Sequence, residues 1–262
     1  MIPLNDDLKT KKIPVVTWAL LAINALVFMW QLGLPQRALA EFYHIWGMVP
    51  ARLSNPDWAF RVGFPAGGIL TIFTSMFIHG GWLHFIANSW TLSIFGDDVE
   101  ERLGHLNYLL LYLASGIFAG LTHLFFFANS TVPVIGASGA IAGVMGAFLV
   151  LFPMAKINIL VPILFIIDIW RLPAALYLPL WFFSQLFSGT FALIGAGFSS
   201  IAFWAHIGGF LAGMLLVNNL NTVRPKRQSI EPDIIEGPGY VIIKRPSYYQ
   251  DVKRREDFAE EW

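Results

Sequence analysis

Long apolar stretches with almost no charge are the feature that most limits how this chain of 262 residues can fold. A helix needs about 20 predominantly apolar residues to cross the hydrocarbon core of a bilayer. We find six candidate spans, at residues 15–34, 82–95, 106–127, 137–152, 174–187 and 201–220. The sequence therefore predicts an all-α membrane protein built as a bundle of six transmembrane helices.

The distribution of charge also favours a membrane protein. Charged residues make up 13% of the chain, whereas a typical soluble domain has about 25%. They are concentrated at the N-terminus and after about Arg224, as expected if a charge at mid-membrane costs at least ~2.5 kcal/mol. The net charge of zero gives no indication of a nucleic-acid partner. The absence of cysteine excludes a disulfide framework, a thiolate metal site and a cysteine nucleophile.

Two of the apolar stretches are interrupted. A pair of adjacent glycines divides the second stretch, so we start that span after the pair and interpret residues 69–78 as a lipid-interface or re-entrant element. Asp168 and Arg171 interrupt the fifth stretch, and we predict an interfacial segment there, before the span itself. These two charged residues are three apart, so we expect them to pair on one face of a helix.

Basic residues predict the orientation of the chain. Lysines within residues 9–12 precede the first span, and three basic residues within 224–227 follow the sixth. By the positive-inside rule, both termini are then cytoplasmic. The N-terminus does not resemble a transit peptide, which favours a bacterial inner (plasma) membrane. We divide the chain into a cytoplasmic segment (1–13), a six-span domain (14–221) and a flexible cytoplasmic tail (222–262).

Polar side chains near the start of three spans are candidates for function, because polar groups in hydrocarbon are costly. His84 and Asn88 lie one helical turn apart in the second span, Ser138 begins the fourth, and His206 lies early in the sixth. The second, fourth and sixth spans cross the membrane in the same direction. These side chains therefore fall in one layer, just below the external surface.

Small residues indicate which of these spans are neighbours. The fourth and sixth spans each contain two glycines in a G-x-x-x-G pair, which lets helix backbones approach closely: Gly139 with Gly143, and Gly209 with Gly213. If these faces meet, Ser138 and His206 come within reach of each other. A serine beside a neutral histidine is an activated nucleophile, because the ring can accept the hydroxyl proton.

The start of the fourth span adds possible hydrogen-bond donors. Pro133 and Gly136 break the chain just before Ser138, and the first N–H groups of a helix have no intrahelical partner. An oxyanion formed by attack of Ser138 would lie beside those groups, near the positive end of the helix dipole. His84 and Asn88 can add side-chain N–H donors from the second span.

Each motif alone also has a structural explanation. Small residues at a span start are usually packing residues, His84 with Asn88 can be a hydrogen-bonded pair, and His206 can be an interface residue. A metal site is a weak alternative, because no carboxylate is evident at that depth. We interpret His79 and His123 as structural or water-binding. The common depth of the polar groups is what favours catalysis.

Four segments resemble motifs of the rhomboid family of intramembrane serine proteases. They are TSMFIHGGWLHFIANSW (74–90), VEERLGH (99–105), GASGAIAGVMGAF (136–148) and AHIGGFLAG (205–213). The resemblance implies a six-helix bundle with a long, partly membrane-embedded first external loop. It also implies a serine–histidine dyad without a carboxylate. In that dyad Ser138 is the nucleophile and His206 the general base, and the oxyanion hole consists of the Ser138 N–H, His84 and Asn88.

The activity implied by the resemblance is serine endopeptidase cleavage of single-span membrane proteins near the outer end of their helix. No metal or cofactor is implied. An alternative is an inactive rhomboid-like protein that binds membrane helices in quality control, although both Ser138 and His206 are present. A small-solute transporter is a third possibility, which the lack of an internal repeat disfavours.

The sequence departs from the family pattern at two places. Some members have an aromatic residue four places after the nucleophile, stacked on the catalytic histidine, whereas this chain has Ala142. Some members carry a Trp-Arg pair in the first external loop, and this chain has none there. The sequence therefore leaves open how His206 is oriented and how the loop at residues 35–68 folds. The Gly-rich segment 189–200 is a candidate for a mobile cap over the site.

Overall fold

The computed structural model describes residues 2–65, 68–163, 166–193, 202–220, 233–237 and 240–244. The helices in these ranges are α1 (Val15–Leu32), α2 (Gln36–Trp46), α3 (Pro50–Ser54), α4 (Pro56–Arg61), α5 (Thr71–Thr74), α6 (Trp82–Leu103), α7 (His105–Phe126), α8 (Ser138–Leu151), α9 (Ala174–Leu193) and α10 (Phe203–Val217). Short 3-10 helices, Gly68–Leu70 and Ser75–Phe77, flank α5. The strands are β1 (Ile2–Asp6), β2 (Lys156–Ile163), β3 (Ile166–Pro173), β4 (Asp233–Gly237) and β5 (Tyr240–Lys244).

The apolar helices confirm the predicted helical membrane bundle. By length and composition, α1, α7 and α9 can each cross a membrane, and α6 qualifies together with the segment Gly68–Phe77 before it. Two shorter apolar helices, α8 and α10, pack against each other in the bundle; α8 is largely buried, whereas α10 has one buried face. A helix of 14 residues such as α8 is about 21 Å long, less than the ~30 Å hydrocarbon core.

The predicted break in the second apolar stretch is confirmed. The segment Gly68–Phe77 and α6 meet at an angle of 79°, and α6 begins at Trp82, directly after Gly81. The helix itself continues to Leu103, beyond the predicted end of the span at residue 95. The extra turns carry charged residues. One of them, the buried Glu100, forms hydrogen bonds with the start of α1.

Glu100 explains why charges are tolerated at this end of α6. Its carboxylate accepts hydrogen bonds from the backbone N–H groups of Val16 and Thr17, each at 2.8 Å, and from the Thr17 hydroxyl at 2.7 Å. His105, the first residue of α7, contacts the same carboxylate at 2.5 Å. Glu100 therefore satisfies free donors at the start of α1 and ties three helices together.

A three-stranded sheet replaces the predicted interfacial segment between α8 and α9. Strands β2 and β3 form an antiparallel hairpin, and β1 adds to the free edge of β2. Alternate residues of β2 are buried against the bundle: Ile157, Ile159 and Val161. This two-residue period and the β-branched side chains favour a strand. A short apolar run of this kind is easily mistaken for part of a helix.

The predicted pairing of Asp168 with Arg171 was also wrong, because these residues lie on a strand rather than a helix. Asp168 accepts hydrogen bonds from the Ile169 N–H and from the Trp170 indole. Arg171 instead forms an ion pair with Asp7, at 2.9 Å. The pair joins the sheet to the segment that leads from β1 to α1.

The segment between α1 and the re-entrant element is folded around Arg52. This side chain is buried, and it donates to the carbonyl oxygens of Ile45 and Pro65 at 2.8 Å each. The guanidinium also lies over the Phe64 ring, 5.2 Å from its centre. Arg52 thus closes the loop that contains α2, α3 and α4, without the Trp-Arg pair of some rhomboids.

The C-terminal part of the chain, from Arg224, forms a separate compact unit. Within it the structure describes the antiparallel hairpin of β4 and β5, in which Asp233 is paired with Lys244 and Gly237 with Tyr240. The flexibility predicted for residues 222–262 otherwise concerns positions outside the described residues. The same holds for residues 194–200 of the predicted cap.

Candidate active site

Ser138 is the first residue of α8, where a sharp turn delivers the chain into the helix. Gly136 has a φ of 122°, a conformation that strongly favours glycine. Its N–H donates to the Ser75 carbonyl at 2.9 Å, which fixes the turn against the re-entrant element. The first helical hydrogen bond runs from the Ile141 N–H to the Ala137 carbonyl. The N–H groups before Ile141 in this turn therefore have no intrahelical acceptor.

His206 lies in the first turn of α10, and its imidazole reaches Ser138. The distance between Nε2 of His206 and Oγ of Ser138 is 2.8 Å. Both residues are only partly buried. The structure thus brings together the two residues to which the sequence assigns nucleophile and base.

The close approach of α8 and α10 produces this contact. A Cβ atom added at Gly209 would lie 1.9 Å from the carbonyl oxygen of Gly139, and one added at Gly213 would lie 1.8 Å from that of Gly143. Real Cβ contacts essentially never fall below 3.0 Å. The two G-x-x-x-G pairs therefore face each other, as the sequence predicted, and any larger residue would separate the helices.

The other nitrogen of His206 has a partner on α9. Nδ1 lies 2.8 Å from the amide oxygen of Gln185. The Trp181 ring, one turn earlier on α9, has its centre 6.0 Å from that of the imidazole, with 32° between the ring planes. The position where some rhomboids have a stacking aromatic is the fully buried Ala142. In this chain the contacts to His206 come from α9 instead.

His84 and Asn88 face the turn that precedes Ser138. A Cβ added at Gly136 would lie 2.6 Å from Cε1 and Nε2 of His84, and 3.6 Å from Nδ2 of Asn88. Nδ1 of His84 is 3.5 Å from the Gly80 N–H, a long hydrogen bond in which the ring nitrogen accepts. The proton of the neutral ring is then on Nε2, the nitrogen that faces Gly136.

Asn88 contributes an unused donor at the same place. The side chain is buried, and Nδ2 has no hydrogen-bond acceptor among the residues that the structure describes. Buried donors without a partner are uncommon, and a catalytic role is one explanation for them. Nδ2 of Asn88 and Nε2 of His84 both lie close to Gly136, two residues before Ser138.

The remaining two histidines in this region lie further from the serine. His79 is fully buried, and its backbone is held by Gln31, which donates to the His79 carbonyl at 2.7 Å. Its ring lies edge-on to that of His84, with 5.3 Å between centres. His123 is buried on α7 and stacks on Phe127. These positions suit the supporting role that the sequence suggested.

Sequence reasoning missed Gln185 and Trp181. The prediction rested on polar side chains at the starts of the second, fourth and sixth spans, whereas Gln185 lies near the end of the predicted fifth span. It is nevertheless a polar residue in an apolar helix, which is itself a signal of function. Trp181 carried no such signal, because one more aromatic residue in an apolar helix is unremarkable.

The sequence comparisons agree with these motifs. The rhomboid domain family matches residues 66–220, more than half of the chain. The chain belongs to the rhomboid family. Rhomboid protein 1, mitochondrial, of Saccharomyces cerevisiae is 30% identical over 209 residues, which cover 76% of this chain and 51% of the yeast protein. This rhomboid therefore spans about half the length of that relative.

Two other relatives carry the word protease in their names. The putative rhomboid protease YdcA of Bacillus subtilis is 30% identical over 141 residues, 52% of this chain and 61% of the relative. Rhomboid-like protease 5 of Toxoplasma gondii is 31% identical over 159 residues, 57% of this chain and 16% of the relative. Membership in the family and the apolar helices make this rhomboid an integral, multi-pass membrane protein.

Proposed function

We propose that this rhomboid is an intramembrane serine endopeptidase that cleaves single-span membrane proteins near the outer end of their transmembrane helix. The observation that supports this most is the 2.8 Å hydrogen bond between Ser138 Oγ and His206 Nε2. It joins a nucleophile and a base within a bundle of apolar helices. The names of the Bacillus and Toxoplasma relatives agree with a protease.

The reaction begins when Ser138 attacks the carbonyl carbon of the scissile peptide bond. As the new C–O bond forms, the hydroxyl proton moves to Nε2 of His206. The resulting imidazolium donates this proton to the leaving amine when the C–N bond breaks. A water molecule then attacks the acyl-enzyme through the same base, which releases the second product and restores the serine.

The negative charge on the carbonyl oxygen develops beside the donors around Gly136. The Ser138 N–H, Nε2 of His84 and Nδ2 of Asn88 form the proposed oxyanion hole. Asn88 is in place before the reaction, because its buried amide has no competing acceptor among the described residues. Loss of one such donor typically costs a factor of about 10²–10³ in kcat.

The location of the site supports the proposed substrate class. Ser138 and His206 lie at one end of apolar helices, so the peptide bond they reach must also lie at the membrane.

The proposed orientation has both termini in the cytoplasm of a bacterial cell, and the basic residues that flank the first and sixth spans support it. Reporter fusions at each terminus test this: activity of an external reporter at either end would contradict the orientation.

The decisive experiment compares wild type and Ser138→Ala in liposomes that contain a single-span substrate. We expect cleavage by the wild type, and none by Ser138→Ala or His206→Ala. Ser93→Ala is the matched control, because Ser93 is an exposed serine of α6 whose hydroxyl, among the described residues, bonds only the Trp90 carbonyl. A fluorophosphonate probe should label the wild type and Ser93→Ala, but not Ser138→Ala.

The outcomes separate the alternatives. Labelling that persists in Ser138→Ala would refute the assignment of the nucleophile. A wild type that binds membrane helices but neither cleaves them nor reacts with the probe would instead support the inactive, helix-binding alternative.

A further inference from the structure

Gln185 lies on α9 one helical turn after Trp181, and both side chains contact the imidazole of His206. The amide oxygen Oε1 is 2.8 Å from Nδ1 of the ring. Gln185 is only partly buried and lies in a predominantly apolar helix, directly after Ser184. A polar side chain in such a place is costly without a partner, so its contact with His206 needs an explanation.

A series of hydrogen bonds fixes which end of the amide faces the histidine. Nε2 of Gln185 donates to Ser184 Oγ at 3.1 Å, and the Ser184 hydroxyl donates to the Trp181 carbonyl at 2.6 Å. Because the hydroxyl proton is committed to that carbonyl, Ser184 Oγ is left to accept from the amide nitrogen. The oxygen of Gln185 therefore faces the ring, where it can only accept.

An acceptor at Nδ1 determines the tautomer of His206. Nδ1 must carry the proton in order to donate to Gln185, and the lone pair of the neutral ring is then on Nε2. Nε2 is the atom that faces Ser138 Oγ. In the opposite tautomer Nε2 would already carry a proton, and it could not accept the one that the serine must lose.

We propose that Gln185 is a positioning residue that holds His206 in the tautomer and ring orientation required of the base. A carboxylate has this task in Ser-His-Asp triads. The amide provides the same acceptor without a charge, and a charge at membrane depth would be costly. Trp181 flanks the His206 ring, whereas Ala142 has no aromatic ring that could stack on it. The inference rests on the proposed protease function, because it concerns the base of that reaction.

A purely structural role for Gln185 makes different predictions. If its amide only joined α9 to α10, its loss would lower stability and leave kcat of the folded protein unchanged. A positioning role requires a lower kcat at nearly constant KM, because fewer molecules have an acceptor facing Ser138 while substrate binding is unaltered.

Three variants in the reconstituted cleavage assay distinguish these roles. Gln185→Leu removes the acceptor, and we expect kcat to fall by about 10–100-fold, as when an orienting partner of a metal-bound histidine is lost, with KM within about twofold. Gln185→Glu keeps an acceptor at the same distance along the side chain and should retain most of the wild-type kcat. Thr190→Val is the matched control on α9, because that exposed hydroxyl bonds only the Leu186 carbonyl within the part of the chain that the structure describes.

A second readout does not depend on catalysis. Nitrogen NMR of histidine-labelled protein in micelles reports which ring nitrogen carries the proton, and the His206 signal is assigned by its loss in His206→Ala. We expect a protonated Nδ1 in the wild type and in Ser138→Ala. In Gln185→Leu we expect a loss of this preference.

The two proposals fail in different ways. If Ser138-dependent cleavage is observed and Gln185→Leu keeps full kcat with an unchanged nitrogen spectrum, the positioning role is refuted and the protease function stands. If the wild type shows no Ser138-dependent cleavage, the protease function fails. The nitrogen spectra then decide whether Gln185 sets the tautomer.

Discussion

The contact between α8 and α10 makes Gly209→Ala a sharp test of the site geometry. The added methyl group would lie 1.9 Å from the carbonyl oxygen of Gly139 and 2.9 Å from the carbonyl carbon. Both atoms belong to the backbone of α8, so no side chain can rotate to make room. The helices must therefore separate, by about 1 Å if the contact is to reach the 3.0 Å limit for real Cβ atoms.

Separation of the two helices at Gly209 would change the distance between Ser138 and His206. Ser138 directly precedes Gly139, and His206 lies less than one turn before Gly209. A shift of about 1 Å would lengthen the 2.8 Å contact between Oγ and Nε2 to roughly 3.9 Å, too long for a hydrogen bond. Misplacement of this size costs about 10²-fold in rate. Overpacking of the helix contact should cost about 1–3 kcal/mol of stability.

The measurements are kcat in liposomes and thermal unfolding in detergent. Gly213→Ala is the matched variant, because its methyl group would lie 1.8 Å from the Gly143 carbonyl oxygen but one turn further from the dyad. It should lose similar stability and less activity. Leu211→Ala changes an exposed side chain of α10 and should affect the rate little. Wild-type rate and stability in Gly209→Ala would refute the proposed helix contact.

Three further predictions follow from single contacts. Asn88→Ala should lower kcat by about 10²–10³-fold with little change in unfolding temperature, because Nδ2 has no acceptor among the described residues; an unchanged kcat would remove Asn88 from the oxyanion hole. Glu100→Ala should lower stability by about 1–3 kcal/mol, measured by thermal unfolding, because buried donors at the start of α1 lose their acceptor. The backbone N–H of Lys156 and the Arg171 side chain hold the pKa of the Asp7 carboxyl below its ordinary value of 3.8. The ionised form therefore stabilises the fold above that value, and the benefit is lost as the pH falls through the lower folded pKa. Asp7→Asn should consequently unfold at a lower temperature than the wild type near neutral pH, and the gap should close in acid; a gap independent of pH would contradict this.

Much of the bundle was predictable because its physical signals are local. Apolar length located the spans, and adjacent glycines marked the start of α6 at Trp82. The spacing of Gly209 and Gly213 predicted which helix face meets α8, and thereby the approach of His206 to Ser138. These inferences needed only helical periodicity and the sizes of side chains.

The parts that were missed depend on contacts between distant segments. The last turns of α6 carry charges that suggest an earlier end, and only the bonds from Glu100 to Val16 and Thr17 explain why the helix continues. The strand β2 is short and apolar, and its assignment depends on pairing with β1 and β3. Gln185 was a visible anomaly, but its acceptor role became clear only with the direction of its bond to His206.

Because β1 pairs with β2, β1 is synthesised early but can only join its sheet late. The partners are about 150 residues apart, with Ile2 opposite Leu160. At roughly 5–20 residues per second, a ribosome needs on the order of ten seconds after β1 to complete β2. By then α1 and α6 to α8 have been synthesised. β1 is thus one of the later elements to pack, although it is the first strand in the sequence. Its pairing with β2 connects residues 2–6 to the segment that follows α8.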